Sequence, residues 1–443
     1  MSTRRAILAL TLLYVLPLYG MPGGAALADT DDVAMLRQEL DQTKALVQKL
    51  ESRLEALEAR PAEPAIPEQK AEAVAEISNA GSVSSANAFN PAISVILQGS
   101  YNAYSKDPDD ITIAGFALPA GAALPNEGFS LGESEINFSA NVDQMFYGSL
   151  TVALEDDAGS TETSVEEAFI ETLALPWGTK IKAGRMFPVL GYLNETHTHA
   201  DAFVDRPLPY RAYFGGDNYV DDGVQVSMVL PTDLYAEIGG GIYRGIGYPA
   251  AGSSNDGTGS QTLFARIGGD LGASQSWLTG LSYLHADATD RDSDGLLFNG
   301  KTPMYIADAK YTWAPGGNMA NRFLVLQGEY FWNKADGTYN ALPYNERSSG
   351  WYAQAVYKFG SQWKAGFRYA YLDAPTVPLD FTDTALDSNG HNPHTQSWLL
   401  EYDFSEFSSV RLQYTRDDSD STADNEAVLR YTISMGAHGA HKY

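Results

Sequence analysis

Cysteine is absent from the 443 residues of the chain. Its absence excludes disulfide bridges, thiol catalysis and zinc sites built on thiolates. Histidine is scarce, with seven in the whole chain, so an imidazole site has few candidate residues. Lysine and arginine number 29 against 56 acidic residues, which gives a formal net charge of −27 at pH 7. Nucleic-acid binding, which depends on a basic surface, is therefore disfavoured.

Catalytic motifs are lacking as well. The chain contains no GxSxG, no HExxH and no phosphate-binding P-loop sequence. No Ser/His/Asp set is indicated by spacing either. We therefore expect a protein that is not an enzyme and that carries no bound cofactor.

The N-terminal residues 1–28 have the pattern of a secretory signal peptide. Arg4 and Arg5 precede an apolar run over residues 6–18, and a small-x-small cleavage signal follows at residues 26–28. The alternative is a membrane anchor, but the run is short for a transmembrane span. We expect this segment to be removed on export.

Residues 29–60 carry a heptad repeat, which predicts a self-associating coiled coil. The alternative is a single amphipathic helix packed on the rest of the protein, and the pattern does not decide between a dimer and a trimer. Residues 61–90 contain Pro61, Pro64 and Pro67 and then a stretch rich in Ser, Ala, Asn and Gly, which predicts a flexible linker. The heptad positions a and d are occupied by Val33, Leu36, Leu40, Thr43, Val47, Leu50, Leu54 and Leu57.

Long apolar runs are missing from residues 91–443, so no transmembrane helix is expected there. Apolar and polar residues instead alternate in segments of about ten, a pattern typical of a transmembrane β-barrel. We predict an all-β fold, an antiparallel barrel of about sixteen strands. Examples of the alternating apolar positions are Ile93, Val95, Leu97, Tyr101, Trp363, Ala365, Phe367, Tyr369, Trp398, Leu400, Tyr402 and Phe404.

The predicted connections between strands alternate between short and long. Short turns are expected near residues 141–144, 176–178, 231–233, 272–276, 360–362 and 405–407. Long loops are expected at residues 105–128, 155–164, 188–222, 245–260, 288–302, 334–347, 374–394 and 417–425. Short periplasmic turns and long outer loops characterise outer-membrane barrels, whereas a soluble β-sandwich or propeller does not predict this alternation. The predicted location is the outer membrane of a Gram-negative bacterium, with the coiled coil in the periplasm. Aromatic residues near strand ends would contact the membrane lipid.

The longest connection that lacks a clear helical or strand period covers residues 188–222. It is the third outer loop in order, and we expect it to fold into the lumen and constrict the pore. Asp205, Arg206 and Arg211 are expected to attach it to the wall or to line the constriction. The predicted constriction-loop residues are Glu195, His197, His199, Asp201, Asp205, Arg206, Tyr210 and Arg211.

Within this loop, His197, His199 and Asp201 are the candidate metal ligands. In an extended stretch these alternate residues would share a face with Glu195, and imidazole with carboxylate suits Zn²⁺, iron or Cu²⁺. The alternative is a pair of histidines that hold the loop by hydrogen bonds. Two further histidine pairs, His391 with His394 and His438 with His441, are weaker candidates for metal binding.

The polar strand faces place basic residues in the predicted lumen, and the acidic residues concentrate in the outer loops. An acidic rim attracts cations to the mouth of a channel, although it also serves solubility. The predicted lumen-lining residues are Arg266, Lys358, Lys364, Arg368, Arg411 and Arg430.

Three stretches of the sequence resemble the LbtU-type siderophore porins of proteobacteria, relatives of which are described as zinc-regulated outer-membrane proteins. They are GRMFPVLGYLNETHTHADAFVDRPLPYRAYFGG, DDGVQVSMVLPTDLYAEIGGG and the terminal GAHGAHKY. The resemblance implies an outer-membrane porin-like channel for uptake of a metal ion or metal-chelate, with zinc or an iron siderophore as cargo. The alternative is a general or carbohydrate- or phosphate-selective diffusion porin, with the coiled coil serving oligomerisation or cell-wall tethering.

Overall fold

The computed structural model describes residues 91–436, apart from residues 120–121, 123, 158–159, 251–254 and 256. The predictions of a signal peptide at 1–28, a coiled coil at 29–60 and a linker at 61–90 lie outside the described residues, as do His438 and His441. Among the described residues, no helix is both long enough and apolar enough to cross a membrane.

The described chain is dominated by one antiparallel sheet of seventeen strand segments. They are β1 (Ala92–Tyr104), β2 (Gly128–Ser130), β3 (Ser134–Asn141), β4 (Phe146–Asp157), β5 (Ser160–Thr172), β6 (Thr179–Met186), β7 (Asp221–Val229), β8 (Tyr235–Tyr243), β9 (Ser260–Asp270), β10 (Gln275–Ser293), β11 (Leu296–Trp313), β12 (Arg322–Tyr339), β13 (Leu342–Phe359), β14 (Trp363–Asp373), β15 (His394–Ser405), β16 (Ser408–Asp418) and β17 (Asp424–Gly436).

The sheet closes on itself. β1 pairs with β17 on one side and with both β2 and β3 on the other. Because β2 and β3 pair with successive parts of β1, they are two pieces of one interrupted strand. The seventeen segments therefore form a closed sixteen-stranded antiparallel barrel, which confirms the predicted fold class.

Apolar side chains cover the outside of the barrel and polar ones line the inside. In β1, Ile93, Leu97 and Tyr101 are 41–47% exposed, whereas Gln98 and Asn102, each next to one of them, are buried. An exposed apolar surface of this extent is a liability in water, but it matches a lipid environment. Other outward-facing apolar residues are Ile170, Val224, Val226, Ile238, Ile242, Leu263, Leu281, Tyr305, Leu326, Trp332, Phe367, Trp398, Leu412, Leu429 and Tyr431.

Three of the predicted long loops were wrong. β10 and β11 run through residues 288–302 and meet in a hairpin at Asp294 (φ 50°) and Gly295 (φ 74°). β12 and β13 run through residues 334–347 and turn at Asn340 and Ala341, which also have positive φ. Two successive residues of positive φ suit the tight turns that match the twist of a hairpin. β4 and β5 likewise occupy most of residues 155–164.

The third outer loop, residues 187–220, joins β6 to β7 and is called loop 3 below. It contains an α-helix, α1 (Leu208–Phe214), so the absence of a helical period in the sequence was misleading. All seven residues of α1 are buried, and a helix buried on every side shows no apolar stripe. Gly215, at φ 83°, ends the helix in the left-handed conformation that glycine adopts readily.

Candidate functional site

Loop 3 lies in the barrel lumen, where one side of it packs against the wall. Leu193, Tyr210 and Phe214 of the loop belong to one buried apolar cluster with Phe331 and Tyr352 of the wall. The ring centroid of Phe331 lies 5.5 Å from that of Tyr210 and 5.8 Å from that of Tyr213. Aromatic pairs at such separations add to the stabilisation from burial alone. The loop is therefore attached to strands β11–β14 as firmly as a core element.

Glu329 of β12 is the polar anchor within this apolar contact. Its carboxylate accepts hydrogen bonds from the backbone N–H of Leu193 at 2.9 Å, the hydroxyl of Tyr352 at 2.7 Å and the hydroxyl of Tyr210 at 3.1 Å. The loop backbone approaches so closely that a Cβ added at Gly191 would collide with this carboxylate. Tyr210, predicted as a constriction residue, is thus fully buried and attaches the loop to the wall.

Ion pairs hold the remainder of loop 3 in place. Arg206 pairs with Asp201 at 3.3 Å, inside the loop, and also donates to the carbonyl of Thr196 at 2.5 Å. Arg211 pairs with Asp417 of β16 at 2.7 Å, and both side chains are buried. These contacts place Arg206 and Arg211 among the residues that fix the loop.

Two further carboxylates of loop 3 bind basic residues of the wall. Asp205 accepts from Arg368 at 2.6 Å and from Gln413 at 2.5 Å. Glu195 forms an ion pair with Arg266, which also donates to the carbonyl of Gly191 at 2.7 Å. Consequently Glu195, predicted to face the histidines' metal site, is instead directed to β9.

All six predicted lumen-lining residues lie on the inner face of the barrel, and five of them have anionic partners among the described residues. Arg266 and Arg368 bind loop 3 as described above. Lys358 pairs with Asp403 at 3.1 Å, while Lys364 and Arg411 share Glu401 at 2.7 and 2.6 Å. The sixth, Arg430, is considered separately below. The basic wall is therefore largely neutralised.

The side of loop 3 that faces β3 and β5 carries the two histidines, which lie among carboxylates. His197 Nδ1 lies 3.2 Å from Glu166 Oε2, and its Nε2 lies 3.2 Å from Glu167 Oε2. His199 Nδ1 lies 2.5 Å from Glu135 Oε1. The two imidazole rings are 5.5 Å apart. We call Glu135, Glu166, Glu167, His197 and His199 the histidine–carboxylate cluster.

Asp201 does not join this cluster, although it was predicted as the third metal ligand. The backbone between the histidines is a short 3-10 turn over Thr198–Ala200, not an extended strand, so alternate residues do not share a face. Asp201 pairs with Arg206 instead. The donor that accompanies the histidines is Glu135 of β3, and no signal in the sequence linked it to a loop about sixty residues away.

A β-bulge explains how two consecutive glutamates reach the same histidine. Glu167 pairs with Thr151 and Val165 pairs with Val152, so Glu166 has no residue opposite it on β4. Side chains normally alternate between the faces of a strand, but an extra residue interrupts that alternation. Glu166 and Glu167 can therefore both be directed into the lumen.

The electrostatics of the cluster favour a positive charge on the His197 imidazole. Burial lowers the pKa of His197, but hydrogen bonds to Glu135, Glu166 and Glu167 outweigh this and raise its pKa well above the usual value. Carboxylates beside an imidazole stabilise its cationic form. The same negative field would stabilise a bound cation, which would compete with that proton.

Donor atoms of Glu135, His197 and His199 all lie within 4.8 Å of one another, as do those of a neighbouring group, Glu133, Glu166 and Asp217. Two imidazole nitrogens with one carboxylate form a ligand set suited to zinc or another divalent transition metal. His391 and His394 belong to neither group of donors. Those two lie beside Asp418, whose carbonyl is 2.8 Å from His391 Nε2.

The chain matches no family model. An uncharacterized protein of Aquifex aeolicus (strain VF5) is 27% identical over 397 residues, which cover 81% of each chain. Among solved structures, the chain resembles the OmpTdeltaL8 loop-deletion mutant, an outer membrane protein of Vibrio cholerae, with 12% identity, a TM-score of 0.49 and coverage of 78% of this chain and 99% of that one. The outer membrane channel DcaP of Acinetobacter baumannii has 12% identity and a TM-score of 0.49, with coverage of 78% of this chain and 97% of that one. An anion-selective porin of Comamonas acidovorans has 11% identity and a TM-score of 0.48, with coverage of 78% of this chain and 99% of that one.

Proposed function

We propose that the chain is a porin-like channel of the outer membrane. The apolar exterior of a closed sixteen-stranded barrel supports a position in lipid. The polar inner face, with loop 3 attached along one side of it, supports a restricted aqueous passage rather than a wide pore. The proposal assigns no catalytic activity to the chain, and contact with outer-membrane lipid follows from it.

The proposed cargo is a metal ion or a metal-chelate such as a siderophore. The observation that carries this proposal is the histidine–carboxylate cluster, in which two histidines of loop 3 meet glutamates of β3 and β5 inside the barrel. Metal binding would need His197 in its neutral form, because only a deprotonated ring nitrogen can coordinate. Glu135 and one ring nitrogen of each histidine would hold the ion.

Charge on the outer loops supports delivery of cations to this site. Aspartates cluster near the ends of the long hairpins and in the last outer loop, as at Asp290, Asp292 and Asp418. A negative rim raises the local concentration of cations and speeds their entry. The neutralised basic wall, described above, would repel such ions weakly.

The histidines have a second possible role, which is to hold loop 3 through their hydrogen bonds to glutamate. In that case the protein would be a general or solute-selective diffusion porin that is indifferent to metals. Self-association or cell-wall tethering through residues 29–60 belongs to the same proposal, and those residues lie outside the described structure. The two roles differ in what a metal does to the current through the pore.

Single-channel conductance in a planar bilayer tests the proposal directly. Zn²⁺ and then a ferric siderophore would be titrated against the refolded wild-type chain and against a variant with His197→Ala and His199→Ala. We expect block of the current by one of the two ligands, which identifies the cargo class. The double variant should conduct without block, because two of the three donors are gone.

A matched control carries His391→Ala and His394→Ala, which removes the same chemistry from an outer loop. It should retain the block seen in wild type. Absence of any conductance from correctly folded protein would contradict the channel itself. Conductance that neither ligand affects would contradict the metal site and leave the diffusion porin.

A further inference from the structure

Arg430 of β17 stands apart from the other buried arginines. It is 9% exposed, and its Nε atom is buried without a hydrogen-bond partner, a feature that it shares with Arg206, Arg291 and Arg368. Within the described part of the chain its guanidinium donates no hydrogen bond and forms no ion pair. The other buried arginines of that part each donate at least one hydrogen bond to a carboxylate, a carbonyl or a hydroxyl, namely Arg206, Arg211, Arg291 and Arg368.

The neighbours of Arg430 increase the positive charge around it. Arg411 is its direct cross-strand partner on β16, and Ser100 is its partner on β1. Like charges placed opposite each other on a sheet repel. Arg411 pairs with Glu401 at 2.6 Å, a carboxylate that it shares with Lys364, and Arg430 has no such partner.

The acidic groups near Arg430 make no hydrogen bond or ion pair with it, although Glu133 Oε1 is itself buried without a hydrogen-bond partner. Glu133 and Asp205 act on it electrostatically, yet neither forms an ion pair with it. Glu133 accepts a hydrogen bond from Thr198, and Asp205 is bound by Arg368 and Gln413. The cationic fork of Arg430 therefore remains available for a further anion.

Arg430 lies at the height of the constriction. Its partner Arg411 donates to the carbonyl of Asp201 at 2.8 Å, which places this pair of arginines beside loop 3. Any solute that passes between loop 3 and β17 would come within reach of the guanidinium.

We propose that Arg430 binds an oxyanion, the carboxylate or phosphate group of a solute in the lumen. A nearly buried charge without a partner is unfavourable, and an anion would relieve this cost. The planar guanidinium can donate two parallel hydrogen bonds to two oxygens of one such group. The inference rests on the proposed function only in that a channel would bring solutes to the site.

Binding of inorganic phosphate to the refolded full-length chain in detergent, followed by phosphorus NMR line broadening, tests this site without requiring a current. We expect Arg430→Gln to weaken binding about tenfold, the equivalent of one lost charge-assisted interaction. Arg430→Lys keeps the charge but loses the fork, so it should fall between wild type and Arg430→Gln. Heat-modifiable migration on a gel verifies that each variant is folded.

Lys358→Gln is the matched control, because Lys358 is an inward cation already paired with Asp403, which retains Lys364 as a partner. It should bind phosphate as wild type does. Equal phosphate affinity in wild type and Arg430→Gln would overturn the inference, as would equal weakening by Lys358→Gln, which would indicate a diffuse charge effect. Phosphate binding that depends on Arg430 in a chain that carries no current would support this site while contradicting the channel.

Discussion

The two sides of loop 3 contact the barrel wall through different kinds of interaction. The side toward β11–β14 buries Tyr210, Tyr213 and Phe214 against Phe331 and resembles the interior of a soluble domain. The side toward β3 and β5 presents His197 to three glutamates and carries few apolar contacts. Apolar packing does not respond to protons or ions, whereas the histidine side carries a titratable imidazole among carboxylates. The first side holds the loop against the wall, and the second carries the proposed metal site.

The largest expected effect comes from Phe331→Ala, which removes the ring shared by three aromatics of loop 3. Loss of a buried aromatic typically lowers the free energy of unfolding by about 3–5 kcal/mol. Urea unfolding in detergent measures this, and the single-channel conductance should rise as the loop loosens. Leu326→Ala, on the lipid face of the same strand, is the control and should leave the conductance unchanged. An unaltered conductance in a destabilised Phe331→Ala barrel would show that the packing does not position the loop.

Tyr210→Phe separates the anchor at Glu329 from the apolar packing around it. The variant keeps the ring but leaves the buried carboxylate with one partner fewer, which should cost about 1–3 kcal/mol of unfolding free energy. Tyr213→Phe removes a hydroxyl that donates to Ser348 at 3.1 Å, and it should cost less because that contact is only partly buried. Equal losses in the two variants would contradict a special role for Glu329.

The histidine side should respond to pH. The pKa of His197 is raised on folding, so the stability that its charged form contributes is fully present below about pH 6.5, the ordinary value. This contribution is lost as the pH rises through the raised pKa. A metal must displace the same proton, so block by Zn²⁺ should strengthen by up to about tenfold per pH unit. Conductance titrations from about pH 6 to about pH 8 measure this, and block that weakens as the pH rises would contradict His197 as a ligand.

The smallest effect is expected outside both sides of the loop. Lys334 and Asp336 form an ion pair at 2.7 Å on the exposed part of β12. Lys334→Ala should change the free energy of unfolding by about 0–1 kcal/mol, the usual range for exposed pairs, and the change should vanish at high salt. A loss as large as that of Tyr210→Phe would show that this pair contributes far more than an ordinary exposed ion pair.

The barrel itself was predictable because lipid imposes a simple pattern on it. A strand such as β1 alternates Ile93, Leu97 and Tyr101 with small polar residues, and this period of two survives in the sequence. Strand ends were harder, because β10 and β11 continue past the apolar belt as a hairpin whose residues no longer alternate in the lipid-facing pattern. The turn at Asp294-Gly295 was its local signal, and the sequence prediction assigned that dipeptide to a loop.

Of the candidate site, only the residues that belong to loop 3 were predictable from the sequence. His197 and His199 lie two positions apart in sequence and stood out because histidine is rare in this chain. Their partner Glu135 is one of many glutamates, and it becomes a candidate ligand only when the barrel brings β3 beside loop 3. Asp201 was chosen on an extended backbone that the 3-10 turn replaces. Arg430 was predicted to line the lumen, but its lack of a counter-ion follows from the partners of its neighbours.

The bulge in β5 bears on how such a site can arise. In a regular strand, an exchange of residue type changes one face at one position and leaves the other face untouched. Because Glu166 has no residue opposite it, two neighbouring positions can both direct their side chains into the lumen. Charged side chains in the lumen are therefore not limited to every second residue of the strand. Removal of that single residue would restore the ordinary alternation. Insertions and deletions, more than substitutions, are therefore the changes by which related barrels would gain or lose an acidic cluster here.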